Sequence, residues 1–202
     1  MSKTAAYFYG HTAGKPYKSF SNFYPSRFSM LDQSSARGDV RLDFFCSEQA
    51  LMWHKAMVMG DPKTASLILQ ASEPRKCKQL GRMVANFDDK LWTERRHDVM
   101  VRILTAKFGQ NPELMEELLS TGEREIAEAS PSDRVWGIGL NVADAQRGLP
   151  WRGTNVLGQA LEETRATLQQ ARVKADQGQE DDMLLPVLLV PKGSETGASG
   201  DS

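Results

Sequence analysis

Cysteine is scarce in this chain, with Cys46 and Cys77 alone among 202 residues. Two thiols cannot build a disulfide framework, so each is expected to pack as a small apolar group in a reducing compartment. Histidine is nearly as rare: His11, His54 and His97 are the full set. None stands at metal-ligand spacing from a cysteine, so neither a metal nor a cofactor is expected. Net charge is almost absent, since 25 Lys and Arg face 26 Asp and Glu for a balance of -1. That argues against affinity built on wholesale phosphate neutralisation, yet leaves room for a site taking one phosphate or pyrophosphate. No apolar run approaches the ~20 residues of a membrane span, and no signal peptide is visible. The expected location is therefore intracellular, cytoplasmic or nuclear. The chain also lacks a P-loop, a G-x-S-x-G nucleophile elbow and any internal repeat.

What is present falls into two regimes. The first ~45 residues mix aromatics with turn formers. Tyr7-Phe8-Tyr9 reads as a short strand ended by Gly10, and Phe20 to Pro25 as a loop with apolar anchors. Arg27 to Met30 and Val40 to Phe45 read as strands flanking an exposed loop, Asp32 to Asp39. From Ser47 the period turns helical, with Ser47 as N-cap and Glu48 suiting the helix dipole. Asp61-Pro62, Ser72-Glu73-Pro74 and Asn111-Pro112 each predict a further helix start. A longer helix is expected from about Asp89 to Phe108, and a last one from Asn155 or Val156 to about Lys174. Thr121 to Gly148 reads as loop-rich. Polar and small residues dominate beyond Asp176, around an apolar island at Met183 to Pro191. One domain over 1–175 and a disordered or loosely docked tail over 176–202 are expected.

Three clusters carry possible chemistry. Glu48 and Lys55 stand seven residues apart in one helix, close to two turns, and so on nearly one face. A buried carboxyl group has a raised pKa and a buried lysine is pushed toward the nucleophilic neutral amine. The pair suits attack at C1 of an opened ribose, although on spacing alone a buried structural pair is the simpler account. In Asp133-Arg134-Val135-Trp136-Gly137, a tryptophan wall beside glycine lets a ligand approach the backbone, with Asp133 placed to bind a sugar hydroxyl or a base edge. A tight turn anchored by a core tryptophan explains the same residues. Gly153-Thr154-Asn155-Val156-Leu157-Gly158 opens the last helix, where an anion or a plain Asn155 cap would serve.

Together these segments resemble the NADAR/YbiA-like N-glycosidase family. The matching pieces are Phe8-Tyr9, Phe20-Ser21-Asn22-Phe23, Ser47-Glu48-Gln49 with Lys55, Leu91-Trp92 and Ala106-Lys107-Phe108 followed by Pro112-Glu113-Leu114. Asp133-x-x-Trp136-Gly137 and Gly153-x-Asn155-x-Leu157-Gly158 complete the series, over roughly Tyr7 to Leu168. The resemblance implies a mainly α (α+β) fold, a compact helical domain with a small N-terminal β portion. It implies cleavage of a bond between ribose C1 and nitrogen. It implies as substrate either ADP-ribosylated guanine in nucleic acid or a small ribosylamino-pyrimidine of riboflavin biosynthesis, and no membrane partner is expected. A non-catalytic module that binds ADP-ribose or a nucleotide is the competing reading. The implied catalytic residues are Glu48, Lys55 and Asp133, with Lys55 forming a Schiff base and Lys107 as its rival. Substrate contacts are expected from Phe8, Asn22, Phe23, Trp92, Lys107, Trp136, Gly137, Asn155 and Gly158, the start of the last helix taking phosphate. The Val142 to Arg152 stretch, with Trp151, reads as an insertion.

Overall fold

The structure is a computed structural model that describes residues 5–32 and 40–178. The loop expected at Asp32 to Asp39 falls largely outside those residues. The tail beyond 178, with its apolar island, lies outside them altogether.

Among the described residues, seven α-helices and four short strands follow one another in chain order. Strand β1 (Ala6–Phe8) leads through a single 3-10 turn (Lys18–Phe20) to the antiparallel pair β2 (Phe28–Asp32) and β3 (Val40–Phe44). Helices α1 (Ser47–Val58), α2 (Pro62–Gln70), α3 (Pro74–Arg82), α4 (Asp89–Gly109) and α5 (Pro112–Leu119) come next. The chain closes with β4 (Ile126–Glu128), α6 (Val142–Gln146) and α7 (Val156–Asp176).

Local chemistry explains most boundaries. Proline opens α2, α3 and α5, where its missing N–H costs nothing. The Asp61 carboxylate accepts from Thr64 N–H at 3.0 Å, and the Asp88 carboxylate caps α4 through Leu91 N–H at 3.0 Å. The Ser47 cap is a correction. Ser47 is the first helical residue, Cys46 holds the cap position without a side-chain bond, and the Ser47 hydroxyl is buried with no partner. The free N–H of Glu48 goes instead to the Asn22 carbonyl at 2.9 Å, which stitches the aromatic loop to α1.

Helix α4 is the central element, burying Val99, Met100, Ile103, Leu104 and Phe108. It packs on α7 to one side and on α1 to another, while α1 also packs on α2 and α3. The stretch read as loop-rich, Thr121 to Gly148, conceals β4 and α6. Strand β4 pairs in parallel with β1, Ala6 opposite Ile126 and Phe8 opposite Glu128. The insertion-like segment forms α6 and a small core of its own, with Ala145 beside Ile138 and Leu140 and with Trp151 packed against it.

Candidate active site

Two pieces of local structure build the site. The first is the start of α1. Because the Asn22 carbonyl serves as its borrowed cap, Asn22 and Phe23 lie beside Glu48. Glu48 is only 4% exposed. Two turns further along, Lys55 donates from Nζ to the Gly81 carbonyl at 2.8 Å and lies 4.1 Å from the centre of the Phe87 ring. The lysine arm thus reaches toward α3 rather than closing directly on Glu48, and it makes no ion pair with that carboxylate.

The second piece is the end of β4 and the turn after it. The Glu128 N–H donates to Asn155 Oδ1 at 3.2 Å, and its carbonyl accepts from Ser130 N–H and Ile138 N–H, both at 2.9 Å. Asp133 Oδ1 accepts from Val135 N–H at 3.0 Å and Trp136 N–H at 2.8 Å, a tight turn that presents the indole. Only glycine fits at 137, because a Cβ there would stand 2.7 Å from the Glu128 carbonyl oxygen.

These pieces face one cleft of about 930 Å³. Glu48, Lys55, Asp133, Asn22, Phe23, Trp92 and Trp136 all line it, so the three catalytic candidates share a concavity with two tryptophans. Asn22 Oδ1 is buried with no hydrogen-bond partner. A shallower concavity of about 550 Å³ at Leu67, Glu73 and Lys76 contains no buried acid. Among the described residues, no cluster of three or more His, Cys, Asp or Glu is arranged to hold a metal ion. No helix there is long and apolar enough to cross a membrane.

Five sequence candidates lie elsewhere. Phe8 is fully buried and packs edge-on against Phe20. Lys107 is fully buried, and its ammonium donates to the carbonyls of Ser19 at 2.5 Å and Ser21 at 3.3 Å. It braces the loop behind the cleft and has no route to a substrate carbonyl. Gly137 and Gly158 serve close backbone approach, the latter to the Ile126 carbonyl. Asn155 is left-handed, with φ of 52°, and its side chain binds Ile126 and Glu128. The phosphate site expected at this helix start is also corrected. The N–H groups of Val156 and Leu157 are taken by the carbonyls of Val135 and Trp136, at 3.0 and 3.1 Å.

Burial shifts acids of the cleft as it shifts Lys107 and His54 outside it, lowering those two to about 7 and about 4. Burial pushes the Glu48 carboxyl group up to about 7 against the pull of Lys78, with the Asp133 charge adding to the rise. Burial lowers Lys55, opposed by Asp89 and Glu48. One residue escaped the sequence reading. Glu128 lines the cleft, and burial followed by the Asp133 charge raises it to about 7. The available signal was a lone acid at the end of the small apolar run Ile126-Ala127, a strand too short to show its period. Five cations also face the cleft: Lys15, Lys78, Arg82, Arg96 and Arg134. None of them makes a salt bridge among the described residues.

The NADAR domain family matches residues 7–169. Protein irg-1 of Caenorhabditis elegans is 40% identical over 158 residues, 74% of each chain. A protein named N-glycosidase R617, of Acanthamoeba polyphaga mimivirus, is 37% identical over 174 residues, 83% of this chain and 99% of that protein. The NMR structure of the E. coli protein YbiA superposes with a TM-score of 0.63 at 24% identity, over 86% of this chain and 91% of that one. That likeness shows the shared fold. By the extent of the family match and the near-complete alignment with R617, this chain belongs to the NADAR domain family.

Proposed function

We propose that this protein is an N-glycosidase that removes ADP-ribose from ADP-ribosylated guanine in nucleic acid, hydrolysing the bond between ribose C1 and the guanine nitrogen. The N-glycosidase class is supported by a relative of that name aligned over nearly its whole length. The observation that carries the reading is the shared cleft, in which a buried acid, a half-buried amine and two tryptophans meet. Its volume of about 930 Å³ lies near the top of the range of roughly 300–1,000 Å³ usual for ligand sites. Together with five cations that make no salt bridge among the described residues, that favours a ligand carrying phosphates over a bare ribosylated base.

In this mechanism Trp92 and Trp136 flank the sugar and base. Glu48 is placed to deliver a proton at the glycosidic centre. Lys55 acts as the neutral amine, with one N–H held by the Gly81 carbonyl. Its nitrogen bonds to C1 as the furanose ring opens, one amine proton passing to the ring oxygen; the C1–N bond then breaks as the base takes the Glu48 proton, leaving a protonated imine on Lys55. Water then adds to the resulting imine, Lys55 is released, and the sugar closes again with a hydroxyl at C1. The net reaction consumes one water. Positioned acid–base help is worth on the order of 10²–10⁴ in rate.

The test is side-by-side turnover of an oligonucleotide bearing ADP-ribosylated guanine and a ribosylamino-pyrimidine, with Glu48→Gln as control. Release of ADP-ribose with restoration of unmodified guanine in the oligonucleotide by the wild type, lost in the variant, is the expected result. Turnover of the pyrimidine alone would reassign the substrate, and binding without release would make the protein a reader.

A further inference from the structure

Hydrolysis at C1 needs two proton transfers, one toward the departing nitrogen and one away from the incoming water. We propose that Glu128 is a second catalytic acid–base residue, with Glu48 giving its proton to the departing nitrogen and Glu128 accepting the proton of the water that adds to C1. The proposal rests on the N-glycosidase reading above and divides its proton chemistry between two groups.

The geometry of Glu128 sets it apart from a structural acid. Its main chain is held by three hydrogen bonds, from its own N–H to Asn155 and to its carbonyl from Ser130 and Ile138. The register with β1 fixes it at the end of β4, opposite Phe8. Its carboxyl group, by contrast, is half-buried at the cleft wall and makes no hydrogen bond or ion pair among the described residues. A rigidly held acid with no partner in the chain stands open there to a ligand or to water. Asp133 beside it is different, since Oδ1 is already committed to two backbone N–H groups.

Glu128 comes from β4 and Glu48 from α1, and both face the same space. Burial comes first in raising each to about 7, and the Glu128 charge is further opposed by Asp133 and, least, by Glu48. Near neutral pH each is poised to give or take a proton, so one can serve as acid while the other serves as base. The proton balance closes: Glu48 loses a proton to the base, Glu128 gains one from water, and transfer between them through solvent restores the resting state.

The experiment uses the full chain as wild type, Glu128→Gln and Glu128→Asp, with melting temperature as the check on folding. For Glu128→Gln, kcat should fall about 10²–10⁴-fold with KM little changed. The acid-side limb of the pH–rate profile should disappear, and borohydride should trap more sugar on the protein because imine hydrolysis is slowed. Glu128→Asp should recover part of the rate. Full kcat with an unchanged profile, or a loss confined to KM, would overturn the assignment. A second measurement needs no substrate: NMR titration of carbon-13-labelled glutamate carboxyl groups. Glu128 should titrate near neutrality and move down in Glu48→Gln. Titration near the ordinary 4.5, insensitive to Glu48, would refute the pairing whatever the substrate proves to be.

Discussion

Glu48→Gln should stabilise the protein at alkaline pH while removing its activity. Glu48 is 4% exposed and lacks a hydrogen-bonded partner for its charge, so the folded state favours the protonated form. A rise from 4.5 to about 7 corresponds to about 3 kcal/mol at about 1.36 kcal/mol per unit. The sign follows from linkage. A carboxyl group with a raised folded-state pKa contributes fully below about 4.5, and that contribution is lost as pH climbs through about 7. Glutamine keeps the volume and carries no charge at either end. Wild type and variant should therefore melt together near pH 4 and diverge by pH 8, the variant higher by about 6–12 °C for a chain of this size. His54 is lowered to about 4 by burial, so it costs stability as pH falls from 6.5 through 4, but equally in both proteins. The assay is thermal unfolding by circular dichroism at a series of pH values. Parallel melting curves across that range would refute the buried, proton-binding Glu48.

Three further outcomes follow from the packing. Lys107→Met should leave the buried Ser19 carbonyl without a donor, at about 1–3 kcal/mol, while the Ser21 carbonyl keeps the Tyr24 N–H at 3.1 Å, and denaturant unfolding should show it. Borohydride trapping should survive in whatever fraction of that variant folds. In Gly158→Ala the new Cβ would stand 2.0 Å from the Ile126 carbonyl oxygen, so the variant should lose stability despite the roughly 1 kcal/mol that alanine gains in a helix; a higher melting temperature would count against the packing described. Trp136→Ala should lower kcat/KM about 10–100-fold, the worth of one base–aromatic stack, and steady-state kinetics would detect it.

Most helices were legible in the sequence because their starts are chemical. Asp61-Pro62, Pro74 and Asn111-Pro112 each mark a first turn through a side chain or a fixed φ. The pairing of Glu48 and Lys55 on one face was equally readable, since seven residues fix an angle along any helix. Strand β4 was not, because its partner β1 lies 120 positions earlier in register and three residues cannot display a period. Glu128 was missed with it. Asn155 and Lys107 misled for a related reason: a helix start and a lysine look available in sequence, and only the tertiary contacts reveal that Val135, Trp136, Ser19 and Ser21 already occupy their donors. The stretch from Val142 concealed α6 because its apolar residues close a small core of their own, away from the cleft.

The account turns on whether Lys55 and Glu48 act on the same sugar carbon. Borohydride added during turnover, followed by peptide mass spectrometry, asks this directly. A reduced sugar adduct on Lys55 is predicted, absent from Lys55→Ala and greatly diminished in Glu48→Gln. An adduct on Lys107, or none on any lysine while turnover proceeds, would contradict it.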